Sequence, residues 1–275
     1  MNELLEVLCA VTPETHQSVV AGQFRGCSEI IAHILKNVEE QKTQSLCINI
    51  LGFMMKKQEV SESLWKSVPM LKLLNLFLKH VDDSRNKLRK DVHQRLADIF
   101  QYHKKVGLKA SRAYISDFCT AVFQSCNRSN YKRALHVVTL LTITLSAFQE
   151  NEVMSLCRMT LRLQECEQPV LTAAIYRMFD SFFQSPDLSV PPRSLLELVR
   201  TLVAAPLATP DMEAISFYCT ALASGLTALH RTDKVLFAQH CSQVLLPATS
   251  LLVARCESEF SEIHCAVGTA LKRII

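Results

Sequence analysis

Apolar residues recur along this chain at helical spacing, almost without interruption, and that pattern constrains the fold more than any other feature. From Leu88 they fall at Leu88, Val92, Leu96, Ile99 and Phe100, one stripe of a 3.6-residue helix. The positions between them are Arg, Lys, Asp, His and Gln, which suit a solvated face. No segment of similar length alternates with period two, so no sheet is expected. The pattern predicts helices over 2–11, 15–22, 25–38, 41–57, 61–80, 84–105, 111–126, 130–148, 151–165, 168–185, 192–205, 210–229 and 232–256, and a last one from about 258.

The punctuation is that of helices joined by short turns. Only six glycines occur in 275 residues, too few for the turns of a β-rich fold. Gly22 and Gly26, flanking Phe24 and Arg25, read as a helix–helix turn. Ser61-Glu62-Ser63 and Asn151-Glu152 read as helix starts. So does Thr209-Pro210-Asp211-Met212-Glu213, with Thr209 as cap and Pro210 in the first turn. Pro69 and Pro247 fall inside apolar helical runs, where each kinks its helix or splits it in two. Residues 185–210 hold five of the nine prolines and read as a joint within a single continuous array spanning 1–275.

Fourteen helices of about twenty residues pair into units near 40 residues, a period of helical-repeat arrays. Such a pair cannot bury its apolar side alone and stacks on its neighbours. Three stretches carry a family resemblance. Leu88-Arg89-Lys90-Asp91-Val92 running to Leu96-Ala97 resembles the second helix of a HEAT repeat, as do Thr43–Phe53 and Pro169–Ile175 more loosely. The chain therefore resembles the Armadillo/HEAT superfamily. That resemblance implies an all-α, right-handed α-solenoid of six or seven helix pairs, serving as a protein–protein scaffold whose inner helices grip a partner helix or extended peptide. The irregular Cys- and Leu-rich helical pairs are also similar to the meiosis inhibitor proteins of vertebrates, which are Armadillo-like. That second resemblance implies a part in meiotic chromosome synapsis and double-strand-break formation, with this chain a segment of a longer solenoid. The ending Leu271-Lys272-Arg273-Ile274-Ile275, without a stop signal, suits a segment, and equally a docked last helix.

Eleven cysteines, odd in number and irregular in spacing, lie mostly among apolar neighbours, as buried free thiols do. They point to a reducing compartment, nucleus or cytoplasm. The most apolar run, Val137–Phe148, is too short to span a membrane and reads as a buried helix; no membrane contact is expected. No Cys-x-x-Cys, His-Glu-x-x-His, phosphate-loop or Gly-x-Ser-x-Gly pattern occurs. No catalytic residue, metal, cofactor or small-molecule substrate is expected.

One charged feature stands out. Residues 79–112 hold ten Lys or Arg against four acids, a net +6, while the rest of the chain is net −2. Arg85, Arg89, Lys90, Lys104 and Lys105 are the candidates for a basic ridge, with Lys42, Lys56 and Lys57 as extensions. A ridge of this kind meets an acidic protein segment, or makes a weak, salt-sensitive contact with DNA. A solvated helix face with internal Asp–Arg pairs accounts for the same charges. Trp65, the sole tryptophan, reads as core between Leu64 and Val68, or as a groove-exposed anchor.

Overall fold

The computed structural model of the protein describes residues 1–106, 109–205, 211–255 and 261–274. Among these there is no strand. Fourteen α-helices are described: α1 Asn2–Val11, α2 Gln17–Asn37, α3 Gln41–Lys56, α4 Glu62–Trp65, α5 Val68–Leu78, α6 Asn86–Val106, α7 Ala110–Gln124, α8 Tyr131–Thr144, α9 Glu150–Arg162, α10 Pro169–Gln184, α11 Pro192–Ala204, α12 Met212–Thr232, α13 Lys234–Arg255 and α14 Ser261–Ile274. Short 3-10 turns follow α8 and α9. The chain divides into two compact units, Met1–Phe118 and Cys119–Ile275. The proline-rich stretch 185–210 runs inside the second unit; its residues 206–210 lie outside the described set, as does Cys256.

In the first unit, α3 packs on α1, α2 and α6. Leu88, Val92, Leu96, Ile99 and Phe100 of α6 are fully buried, each contributing about 1.5–3 kcal/mol. In the second unit α8, α10, α12 and α14 pack in succession as one row, and α9, α11 and α13 as another. Tyr176 and Tyr218 meet edge to face at 5.0 Å where α10 meets α12. Burial pushes both hydroxyls above their ordinary range.

A common register recurs across several joints within each unit. Ser181 donates to the Thr142 carbonyl, 39 residues back, at 2.8 Å, and Ser224 donates to Asp180, 44 back, at 2.6 Å. Arg158 pairs with Glu197, 39 ahead, at 2.5 Å. In the first unit Thr43 donates to Asn2, 41 back, at 2.7 Å, and Ser45 to Asp91, 46 ahead. A side chain thus finds its distant partner about one helix pair away, as stacked repeats require.

Several boundaries differ from the sequence reading. Residues 15–22 and 25–38 are one helix, α2, because Gly22 and Gly26 sit in right-handed helix with open space around them. Each glycine costs about 1 kcal/mol there. The continuous stripe Val20, Phe24, Ile31 and Leu35, all buried, offsets it. The 61–80 run splits into α4 and α5, with Pro69 in the first turn of α5, where no amide donor is needed. Pro247 stays inside α13. Helix α12 is capped by Asp211, whose carboxylate accepts from the Ala214 amide at 2.8 Å, rather than by Thr209, which lies outside the described residues. The Val137–Phe148 run is largely buried, with Ile143 facing outward. Two other helices, α12 and α13, are long and apolar enough to cross a bilayer by length and composition alone. Helix α12 is mostly buried between α10 and α14, and α13 carries His240, Gln239 and Gln243 amid its apolar residues.

Candidate functional site

The basic residues singled out in the sequence fall into two groups on α6 and the turn before it. Arg85 is held by Asp83: its Nε and Nη2 donate to the two carboxylate oxygens at 2.9 and 2.8 Å, and its Nη1 reaches the Glu39 carbonyl at 3.0 Å. Those bonds hold Asp83 well below the usual carboxylate range and raise Arg85. Arg89 donates to the Asp83 carbonyl at 2.6 Å and to Asn86 at 3.2 Å. Both guanidinium groups therefore serve a structural turn. Lys90 and Lys105 are exposed and Lys104 is half-buried. Fifteen residues of helix put Lys90 and Lys105 about 22 Å apart, with Asp98 on the face between them. Lys42 pairs with Glu6 at 2.5 Å, and Lys57 donates to the Pro13 and Thr15 carbonyls, so neither extends the ridge freely.

Arg95 belongs to the packing of the first unit. Its aliphatic stem lies across Gly52 of α3, where a Cβ would sit 2.7 Å from its Cγ and Cδ. Its guanidinium covers the Phe53 ring at 4.5 Å and pairs with Asp98 at 2.9 Å. Trp65 is core: it is 1% exposed, donates to the Glu59 carbonyl at 3.3 Å and meets His103 edge-on at 4.0 Å. Burial, aided by Arg112, pushes His103 down to about 4, so the ring is neutral at physiological pH.

The concave feature that sequence reasoning missed is a groove of about 480 Å³ between α2 and α5. Phe24, Ala32, Met70, Leu73 and Leu76 form its apolar floor. Arg25, Glu29, His33, Lys36 and Lys72 form its rim. Arg25 and Glu29 pair with each other at 3.5 Å, which leaves the two exposed lysines to set the sign of the rim. The available signal was spacing: Lys36 and Lys72 lie nearly one repeat apart. A second apolar surface, Leu4, Val7, Leu8 and Val11, faces outward on α1.

No cluster of three His, Cys, Asp or Glu with metal-ligand geometry occurs among the described residues. Burial pushes the Cys47 and Cys119 thiols up to about 11 and about 12. The ten described cysteines are free thiols, five of them buried; Cys27 and Cys265 are exposed.

Residues 1–190 match the family model described as RRP12-like, N-terminal HEAT repeats. The chain belongs to this family. Its helix pairs are HEAT repeats, and the Armadillo/HEAT-like all-α fold expected from the sequence is the fold found. Beyond the matched range, α11–α14 continue the two-row packing of the HEAT repeats before them. Two solved structures, each of an engineered protein, are similar to this chain. One is 13% identical with a TM-score of 0.47, covering 99% of this chain and 64% of its own length. The other is 14% identical with a TM-score of 0.46, covering 89% of this chain and 96% of its own. The chain thus spans 64% of the length of the first. No curated protein matches it.

Proposed function

We propose that this HEAT-repeat chain is a non-catalytic protein-interaction scaffold that takes an amphipathic helical segment, acidic on its flanks, in the groove between α2 and α5. The observation that carries the reading is the pairing of an apolar floor with a rim whose exposed lysines, Lys36 and Lys72, lie on opposite walls. An apolar helix face fills such a groove, and acids at its edges meet the rim. The test is affinity purification with mass spectrometry, using the intact chain and the Lys36→Glu/Lys72→Glu variant. Both side chains are exposed, so the variant keeps its unfolding midpoint and loses a defined partner. An unchanged partner set places binding elsewhere. The meiotic setting implied by the sequence resemblance is a narrower form of this proposal. It requires chromosome-axis or break-forming proteins among partners recovered from testis and not from a somatic line; unrelated partners in both sources refute it.

A second reading is favoured by the exposed lysines of α6. Lys87, Lys90 and Lys105 suit a weak contact with duplex DNA, with an affinity that falls with salt in proportion to the two or three phosphates neutralised. Lys90→Glu/Lys105→Glu tests it more cleanly than a change at Arg89, which holds the Asp83 carbonyl. Absence of binding at low salt removes this reading.

A further inference from the structure

Two thiols that the scaffold reading leaves unused meet at a joint of the second unit. Cys126 follows α7 and Cys166 ends the 3-10 turn after α9, 40 residues later, and their sulfurs stand 3.6 Å apart. The turn carrying Cys126 is stitched by its own amides. Asn127 accepts from the Ser129 amide at 2.9 Å, and Asn130 accepts from the Asn127 amide at 2.7 Å and donates to the Ser125 carbonyl at 2.9 Å. The turn carrying Cys166 reverses through Glu167, the one described non-glycine residue at positive φ (53°), and Glu167 pairs with Arg128 of the first turn. The same two turns are thus already clamped by an ion pair beside the thiols. A groove of about 460 Å³ is lined by both cysteines together with Phe123, Met159 and Arg162, and Cys126 is only half-buried.

We propose that Cys126 and Cys166 form a dithiol site at which a small peroxide makes an inter-repeat disulfide. The Cys126 thiolate attacks one peroxide oxygen; the O–O bond breaks, and the other oxygen leaves as water or an alcohol. Cys166 then attacks the sulfur of the resulting sulfenic acid, the S–S bond forms, and the S–O bond breaks with loss of water. Two thiols are oxidised and one peroxide is reduced, so no other reagent is required. Closing from 3.6 Å to a bonded distance of about 2.05 Å takes side-chain rotation within two turns that are already held. Burial and the neighbouring Cys166 push Cys126 up to about 12, while Arg128, Arg162, Glu165 and Glu167 are the charged groups around it. Thiolate is therefore scarce at neutral pH, and oxidation speeds up as the pH rises toward that value.

The test treats the intact chain with hydrogen peroxide near neutral pH and at a higher pH, alkylates the remaining thiols, and maps peptides by mass spectrometry without reduction. The expected product joins the Cys126 and Cys166 peptides, is lighter by two hydrogens, forms faster at the higher pH and returns to two thiols with dithiothreitol. Cys166→Ser abolishes the link and leaves Cys126 to run on to sulfinic acid. Cys126 oxidised to sulfinic acid in the wild-type chain with Cys166 still alkylatable overturns the proposal. So does a link from Cys126 to Cys27 or Cys265, or a pair that stays reduced while exposed Cys27 oxidises.

Discussion

Gly52→Ala and Gly22→Ala, the same substitution in two helices, are expected to change stability in opposite directions. Both glycines lie in right-handed helix, where alanine is favoured by about 0.8–1 kcal/mol. At Gly22 a new Cβ meets nothing within 4 Å, so that gain appears in full. At Gly52 it lands 2.7 Å from Cγ and Cδ and 2.8 Å from Cβ of Arg95. The near end of the arginine side chain cannot swing aside, so α3 and α6 must separate. Overpacking of this kind costs about 1–3 kcal/mol. Displacing the guanidinium from the Phe53 ring costs about 0.5–1 kcal/mol more. The net is a loss of about 1–3 kcal/mol, or on the order of 5 °C in midpoint. Thermal unfolding followed by circular dichroism measures both variants. Gly52→Ala/Arg95→Ala should recover part of the loss, because Cγ and Cδ are gone while the Cβ contact stays. If Gly52→Ala is as stable as the wild type, or gains as Gly22→Ala does, Arg95 does not lie against bare α3 backbone.

Three further outcomes follow from the geometry. His103 is neutral when folded, down to about 4, and takes up a proton near 6.5 when unfolded, so stability falls as pH drops between those values, by at most about 3 kcal/mol. His103→Leu flattens that slope, and Trp65 fluorescence, reporting from 4.0 Å away, follows it. Asp83→Asn costs about 1–3 kcal/mol at neutral pH by freeing Arg85. Because the Asp83 carboxyl is depressed in the fold, the wild-type advantage is full above about pH 4 and shrinks as pH falls further, which urea midpoints across that range check. The Cys126–Cys166 disulfide closes a 40-residue separation and adds up to about 4 kcal/mol, read as a higher urea midpoint that dithiothreitol reverses.

The helices were legible because burial writes itself into spacing. Leu88, Val92, Leu96, Ile99 and Phe100 declare their common face in the sequence, and all five are buried. Glycine misled at α2 because a local penalty of about 1 kcal/mol per residue is small beside the burial of a continuous stripe. The basic ridge was legible as charge and illegible as surface. Whether Arg85 is available depends on Asp83 and on the Glu39 carbonyl, 46 residues away, and net charge cannot count such partners. The groove and the thiol pair were hidden for the same reason. Lys36 with Lys72, and Cys126 with Cys166, lie in different helix pairs, and their juxtaposition is visible only once the repeat register is fixed.

That register bears on how fast the protein finds its fold. The side-chain hydrogen bonds between distant elements span 38 to 48 residues wherever they are described in either unit. Loop closure over such a span costs about 3 kcal/mol by the logarithmic rule, and the figure is nearly the same at each joint. None of these described bonds joins parts of the chain much further apart than one helix pair. Each helix pair, once formed, is the template on which the next is laid, so the conformational search is divided into short, similar tasks whose difficulty does not grow with the number of repeats.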